Sequence, residues 1–290
     1  MTALFALMVS LVLAACTAAP LLNVQTAPPP EAAPEVQEER LACVVEMGTW
    51  EDSAAAEDGT PLVSYSFTLP VMRVVGEDGL PVETAQTPEE ERALAAAEAF
   101  NSRFGEWAAA KEFAGLVQEA QATLDYQQAE GIPWNGGYVL ELTCEVYQTE
   151  RLVSVCGTYY SSTGGAHPNT WQLSWNFDLR QGDFFEPEFL AEGTDLGDAV
   201  AAEIIRQANE PREDGSIPAE GYWEDYEAIA ANWGSYAVFF DGEGMHVTFS
   251  PYELAAYAAG PQNFQFSYGW LSPHLSGHGR ELLGLERAGS

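Results

Sequence analysis

Basic residues are scarce: 11 Lys and Arg stand against 44 Asp and Glu in 290 residues, a formal net charge of −33. Phosphate would be repelled by such a surface, which argues against direct nucleic-acid binding, whereas a cationic partner would be drawn in. An acidic surface also keeps an exported protein soluble without any partner. Cysteine is sparse too, at four residues, too few for a small disulfide-held scaffold. The N-terminal apolar run, residues 3–15, is 13 residues long, too short to cross a bilayer as a helix. There is no internal repeat. What is present is ordinary for a protein with a packed core: 47% apolar residues, in a length that accommodates one large domain or two modest ones.

The short apolar run has the length of the hydrophobic region of an export signal. Its end, Leu13-Ala14-Ala15-Cys16, resembles the lipobox of bacterial lipoproteins, in which small residues admit the signal peptidase and the cysteine sulfur receives a diacylglycerol. Residues 1–16 therefore read as a lipoprotein signal peptide with Cys16 as the lipidation site. The expected location is the bacterial cell membrane, lipid-anchored and facing outside the cytoplasm, since two acyl chains suffice for stable anchoring. Residues 17–40 turn to Ala, Pro and Glu, with Pro28-Pro29-Pro30, and read as a disordered tether. If Cys16 is lipidated, Cys43, Cys144 and Cys156 form an odd set, of which at least one stays free.

Residues 41–47 and 62–75 are rich in Val, Leu, Tyr and Phe and read as strands joined by a polar loop over 48–61. Thr87-Pro88-Glu89-Glu90 then starts a helix: an N-cap Thr, a Pro at the first helical position and a Glu to close a capping box. Leu94, Ala97, Phe100, Phe104 and Trp107 continue it at steps of three and four, and Pro133 is the first proline to stop it. Residues 138–147 and 152–160 form a hairpin. A two-residue loop, the favoured reading, places Cys144 opposite Val155, and a three-residue loop places it opposite Cys156. The two-residue loop is favoured because it puts Leu142, Cys144, Val146, Val153 and Val155 on one face. Residues 171–179 supply a further strand, with Trp171, Leu173, Trp175 and Phe177 alternating as buried positions do. Helices are expected near 194–209 and 222–232, and strands at 236–240, 245–249 and 263–268. The class is α+β: antiparallel sheets, one long helix in the N-terminal half and shorter helices in the C-terminal half. The domain reading is 41–180, 181–276 and a tail over 277–290.

The most particular stretch is 159–169, where Tyr159 and Tyr160 lead into Gly164 and Gly165, and His167 is held beside Pro168 and Asn169. Three roles are open to His167: a hydrogen bond across a turn, a ligand contact, or general-base chemistry. No suitably spaced nucleophile or acid accompanies it. His274 and His278 share a four-residue offset that suits zinc on a helix, but Gly277 and Gly279 weaken a helix there and no third ligand is nearby. No metal and no cofactor is expected. Among the eight tryptophans, Trp134 and Trp223 sit in polar surroundings and are the surface candidates for stacking on a ligand.

The order of elements resembles a pair of bacterial extracytoplasmic domains shared by the anti-sigma-V factor RsiV and the peptidoglycan deacetylase PdaC. The resemblance spans roughly 41–276. Its carriers are residues 65–70, the hairpin that ends in 159–169, Asn176-Phe177-Asp178 followed by Gly182, and 249–260 read as Phe-x-Pro-Tyr-Glu-Leu-x-x-Tyr-x-x-Gly. It implies an exported binding module without catalytic activity, with lysozyme or another cationic protein as partner, and Tyr159, Tyr160, Gly164, Gly165, His167 and Asn169 as the ligand-binding candidates, together with Trp134 and Trp223. The paired-histidine and aspartate metal motif of the deacetylase is missing. The alternative is an enzyme acting on peptidoglycan, or an accessory module of one.

Overall fold

The computed structural model describes residues 41–108, 113–134, 136–191, 196–232, 234 and 236–285. Cys16, the lipobox and the tether lie outside the described residues. From Leu41 onward the chain clusters as one compact unit.

The first sheet has six strands in chain order: β1 (Ala42–Ala55), β2 (Pro61–Val75), β3 (Tyr138–Gln148), β4 (Leu152–Ser162), β5 (Asn169–Asp178) and β6 (Asp183–Phe185). All neighbours are antiparallel except β2 and β3, which run parallel from Val63↔Tyr138 to Thr68↔Thr143. The α+β class holds, but this sheet is mixed where antiparallel pairing was expected. The reason is connectivity: a parallel neighbour needs a crossover, and α1 (Pro88–Ala108) and α2 (Phe113–Glu130) lie in the connection between β2 and β3. The single long helix expected from the sequence is described as these two, with residues 109–112 outside the description. The capping box is real: the Glu90 N–H donates to Thr87 Oγ1 at 3.2 Å and the Thr87 N–H to Glu90 Oε2 at 2.8 Å.

β1 runs to Ala55, through the segment read as a polar loop. Its register with β2 continues as far as Ala54↔Val63. As an edge strand it is held by backbone pairing and leaves Glu51, Asp52 and Ser53 exposed, so its polarity disguises it. The β3–β4 register also differs from both readings. Val146 faces Val155, Cys144 faces Gly157 and Cys156 faces Glu145, around a tight turn in which the Leu152 N–H donates to Thr149 Oγ1 at 3.0 Å. The offset from the favoured register is two residues, and a slip of two preserves the faces. Leu142, Cys144, Val153 and Val155 are accordingly buried on the helix side, with Val146 packed against them, and Cys43, Cys144 and Cys156 are free thiols.

Phe100, Phe104, Phe177, Leu69 and Leu142 form the core between this sheet and the helices. On the other face, short polar side chains reach β7 (Ala237–Phe240). Ser154 Oγ donates to Asn176 Oδ1 at 2.7 Å and accepts from the Phe240 N–H at 2.8 Å. Asn176 Nδ2 donates to the Val238 carbonyl at 2.8 Å, and the Val238 N–H to Ser174 Oγ at 2.9 Å. β7, β8 (Gly244–Phe249) and β9 (Gln262–Ser267) form an antiparallel three-stranded sheet. Its core gathers Phe240, Phe249 and Phe266 with α3 (Leu196–Ala208) and, near the end of the described chain, α5 (Tyr268–Leu271) and α6 (Gly277–Leu282). Between α3 and the sheet, the short helix expected over 222–232 is confined to α4 (Tyr226–Ala230). Residues 277–282, read as the start of a tail, are helical: Ser276 Oγ accepts the Gly279 N–H at 2.9 Å, and Leu282 and Leu283 are buried. Gly279 lies so close to the Leu190 carbonyl that a Cβ would not fit, so its glycine serves packing.

Candidate functional site at the His167–Tyr252 seam

Two segments singled out by the sequence, 159–169 and 249–260, meet in space. Gly164 takes φ +85 to turn the chain after β4, which glycine does without steric cost; Gly165 has room for a side chain. The turn sets His167 on the surface against the loop that follows β8. There the ring lies 4.2 Å from that of Tyr257 at 18°, a stacked pair, and 5.7 Å from that of Tyr252. His167 Nδ1 is 2.9 Å from the Pro168 carbonyl oxygen, and Nε2 is 2.8 Å from the Tyr252 hydroxyl. A carbonyl only accepts, so Nδ1 carries a proton, and Nε2 pairs with the Tyr252 hydroxyl. Both nitrogens are thus engaged within the seam.

Tyr252 is the one non-glycine residue with positive φ among the described residues, at +73. Its carbonyl accepts from Trp223 Nε1 at 3.0 Å, and the Trp223 N–H donates to the Leu254 carbonyl at 2.8 Å. Across the seam, Trp171 stacks on Tyr159 at 5.5 Å and 25°, and Tyr159 in turn meets Trp107 edge-on at 5.2 Å. Tyr252, Trp171 and Trp223 remain 51%, 41% and 39% exposed, an uncommon exposure for three large rings gathered around one seam.

The structure therefore brings Tyr159, His167, Asn169 and Trp223 to one region and adds Trp171, Tyr252 and Tyr257. Tyr160 alternates to the other face of β4. Trp134 is occupied elsewhere: Nε1 donates to the Pro61 carbonyl at 3.0 Å and the ring stacks on Tyr138 in a small separate core. Trp171 is a correction, since its alternation with Leu173 and Phe177 reads as burial; it stands near the start of β5 and is exposed. Tyr252 and Tyr257 were legible only as part of the Phe-x-Pro-Tyr-Glu-Leu-x-x-Tyr-x-x-Gly pattern.

Between these elements lies a pocket of about 270 Å³ lined by Asn169, Thr170, Trp171, Ser250, Pro251, Tyr252, Glu253 and Tyr257. Burial holds the Glu253 carboxyl above the usual carboxylate range, although it accepts the Ser250 N–H. Ser250 Oγ accepts the Gln172 N–H at 3.0 Å and so ties this loop to β5.

Other chemistry-bearing groups are less promising. Cys156 shares a groove with His246, but burial, with the Glu145 carboxylate adding to it, pushes its thiol up to about 11, so it is protonated at neutral pH. His246 Nε2 lies 2.9 Å from Asp241 Oδ2, though poorly aligned for a hydrogen bond. His274 packs on Trp270 at 4.7 Å, while His278 lies 3.2 Å from Asp178 Oδ2, again poorly aligned. The two histidines have different neighbours and do not form a pair. Among the described residues no group of three or more His, Cys, Asp or Glu could hold a metal ion, and no helix is long and apolar enough to cross a membrane.

Fold and site together define an α+β protein in which a six-stranded mixed sheet and a three-stranded antiparallel sheet present a shared aromatic patch. Residues 182–269 match the model of a family described as a protein of unknown function (DUF3298). The whole fold is similar to the crystal structure of a member of the DUF3298 family from Bacteroides fragilis, with a TM-score of 0.58 and 15% identity over 85% of this chain and 98% of that one. A DUF3298 family protein from Pseudomonas aeruginosa gives a TM-score of 0.50 and 15% identity, over 82% and 96%. No curated protein matches.

Proposed function

We propose that this chain is a lipid-anchored, non-catalytic binding protein of the RsiV-like and PdaC-like kind on a bacterial cell surface, and that the His167–Tyr252 seam captures a cationic protein such as lysozyme. The observation that carries the proposal is the gathering of exposed rings from three separate segments, Trp171, Trp223 and Tyr252, on a chain whose net charge is −33. Long-range attraction would bring the partner in, and the rings would supply short-range contact area at small entropic cost.

The experiment is a titration of the purified protein with lysozyme at low and moderate salt, with His167→Ala alongside. Binding that weakens with salt and falls in the variant supports the proposal; no binding even at low salt sinks it. Exposed Trp171 and Trp223 also favour a second reading, an accessory module that stacks on peptidoglycan sugars. Incubation with muropeptides distinguishes it, because acetate or sugar release lost in His167→Ala would promote an enzymatic role. Anchoring is checked by Cys16→Ala, which is expected to leave the membrane fraction.

A further inference from the structure

The pocket at the seam combines features that the capture of a cationic protein does not by itself require. Three rings, Trp171, Tyr252 and Tyr257, line it together with one carboxylate, Glu253, and none of its lining residues is basic. Aromatic faces attract cations through the ring quadrupole, most strongly where water is partly excluded. A half-buried carboxylate without a basic neighbour in its pocket favours a ligand that brings the counter-charge. Volume narrows the ligand: about 270 Å³ lies below the range usual for small-molecule sites and suits one long side chain better than an oligosaccharide.

Geometry narrows it again. Glu253 Oε2 already accepts the Ser250 N–H, which disfavours the two-oxygen fork that a guanidinium prefers and suits the single-point contact of an ammonium. The four-carbon stem of lysine would lie along the Trp171 and Tyr252 faces.

We infer that this pocket is an ammonium cage that takes a lysine side chain of the partner protein. The inference rests on the proposed capture function and deepens it by naming the group recognised.

The test compares three forms of lysozyme against the purified protein: native, lysine-acetylated, and lysine-guanidinated, the last keeping its charge while replacing each ammonium with a guanidinium. Binding to the guanidinated form should fall by about tenfold or more, as should binding of native lysozyme to Glu253→Gln, the size expected of one desolvated cation–π and charge-assisted contact. Gln keeps an acceptor for the Ser250 N–H, so the variant should fold, and a thermal melting curve that shows no loss of stability confirms it. Equal binding of native and guanidinated lysozyme, with Glu253→Gln neutral, overturns the cage while leaving capture intact. A second probe separates the two ideas in the other direction. Nα-acetyl-lysine methylamide should shift the indole resonance of Trp171 in NMR, whereas the norleucine analogue should not. If that shift occurs and vanishes in Glu253→Gln while lysozyme fails to bind, the cage stands and the partner falls. If neither probe binds, the cage falls.

Discussion

Tyr252 carries an unusual combination: a bulky residue with φ +73, a hydroxyl on His167 and a carbonyl on Trp223 Nε1. A left-handed backbone costs a non-glycine residue about 1–2 kcal/mol, and the two hydrogen bonds hold the residue there against that cost. Tyr252→Ala keeps the strained backbone and loses the ring; Tyr252→Gly loses the ring and relieves the strain. Chemical denaturation should therefore find the Gly variant more stable than the Ala variant by about 1 kcal/mol, an inversion of the usual order at an exposed position. A neighbouring residue gives a pH prediction. Burial raises the Glu253 carboxyl above its ordinary range, so the folded state favours the protonated form. Its contribution to stability is present below the unfolded value and is lost as pH rises through the folded one. Glu253→Gln should thus gain stability relative to the native protein above that window and match it below about pH 4, an unfolded carboxylate being largely protonated there. Stability curves measured from pH 3 to 7 check the sign.

At the scale of elements, the polar ties between β5 and β7 are what the two sheets share beyond apolar packing. Ser154 is 1% exposed and bonds both Asn176 and the Phe240 N–H. Ser154→Ala leaves two buried polar groups unpaired and should cost about 3 kcal/mol by urea unfolding, whereas the partly exposed Ser162 at the end of β4 should tolerate the change within about 0.5 kcal/mol. The sequence reveals the elements far better than their pairing. The capping box at Thr87 and the helix period through Phe100 and Phe104 are local patterns, and the structure keeps both. The length of β1, the parallel join of β2 to β3 and the four-residue turn at Thr149 are set by partners elsewhere in the chain. Polar Glu51, Asp52 and Ser53 belong to a strand because β2 is beside them, which no window around them reports. The faces of the β3–β4 hairpin survive a register error because that error is an even number of residues.

At the scale of the whole molecule, the seam joins residues 85 positions apart in sequence, His167 and Tyr252. Each segment was conspicuous alone, the first for its glycines beside a histidine and the second as part of a longer pattern. Neither indicated that the other was its partner. Trp171 misled because alternation reports a face of a strand and not whether the opposite layer extends far enough to cover it. The charge of −33 was plain from composition and gives the proposed capture its long-range component, which salt screens as the Debye length falls from about 30 Å at 0.01 M to about 8 Å at 0.15 M. The short-range component belongs to the rings and is insensitive to salt. The most direct measurement is therefore the affinity of the protein for lysozyme at both salt concentrations, for the native chain and for His167→Ala/Tyr252→Ala. The account predicts salt-weakened binding to the native protein and a further loss of about tenfold or more in the variant at both salts, the size of a contact hot spot. Equal affinity of the two proteins at each salt would contradict it, because charge alone would then account for the encounter and the seam for nothing.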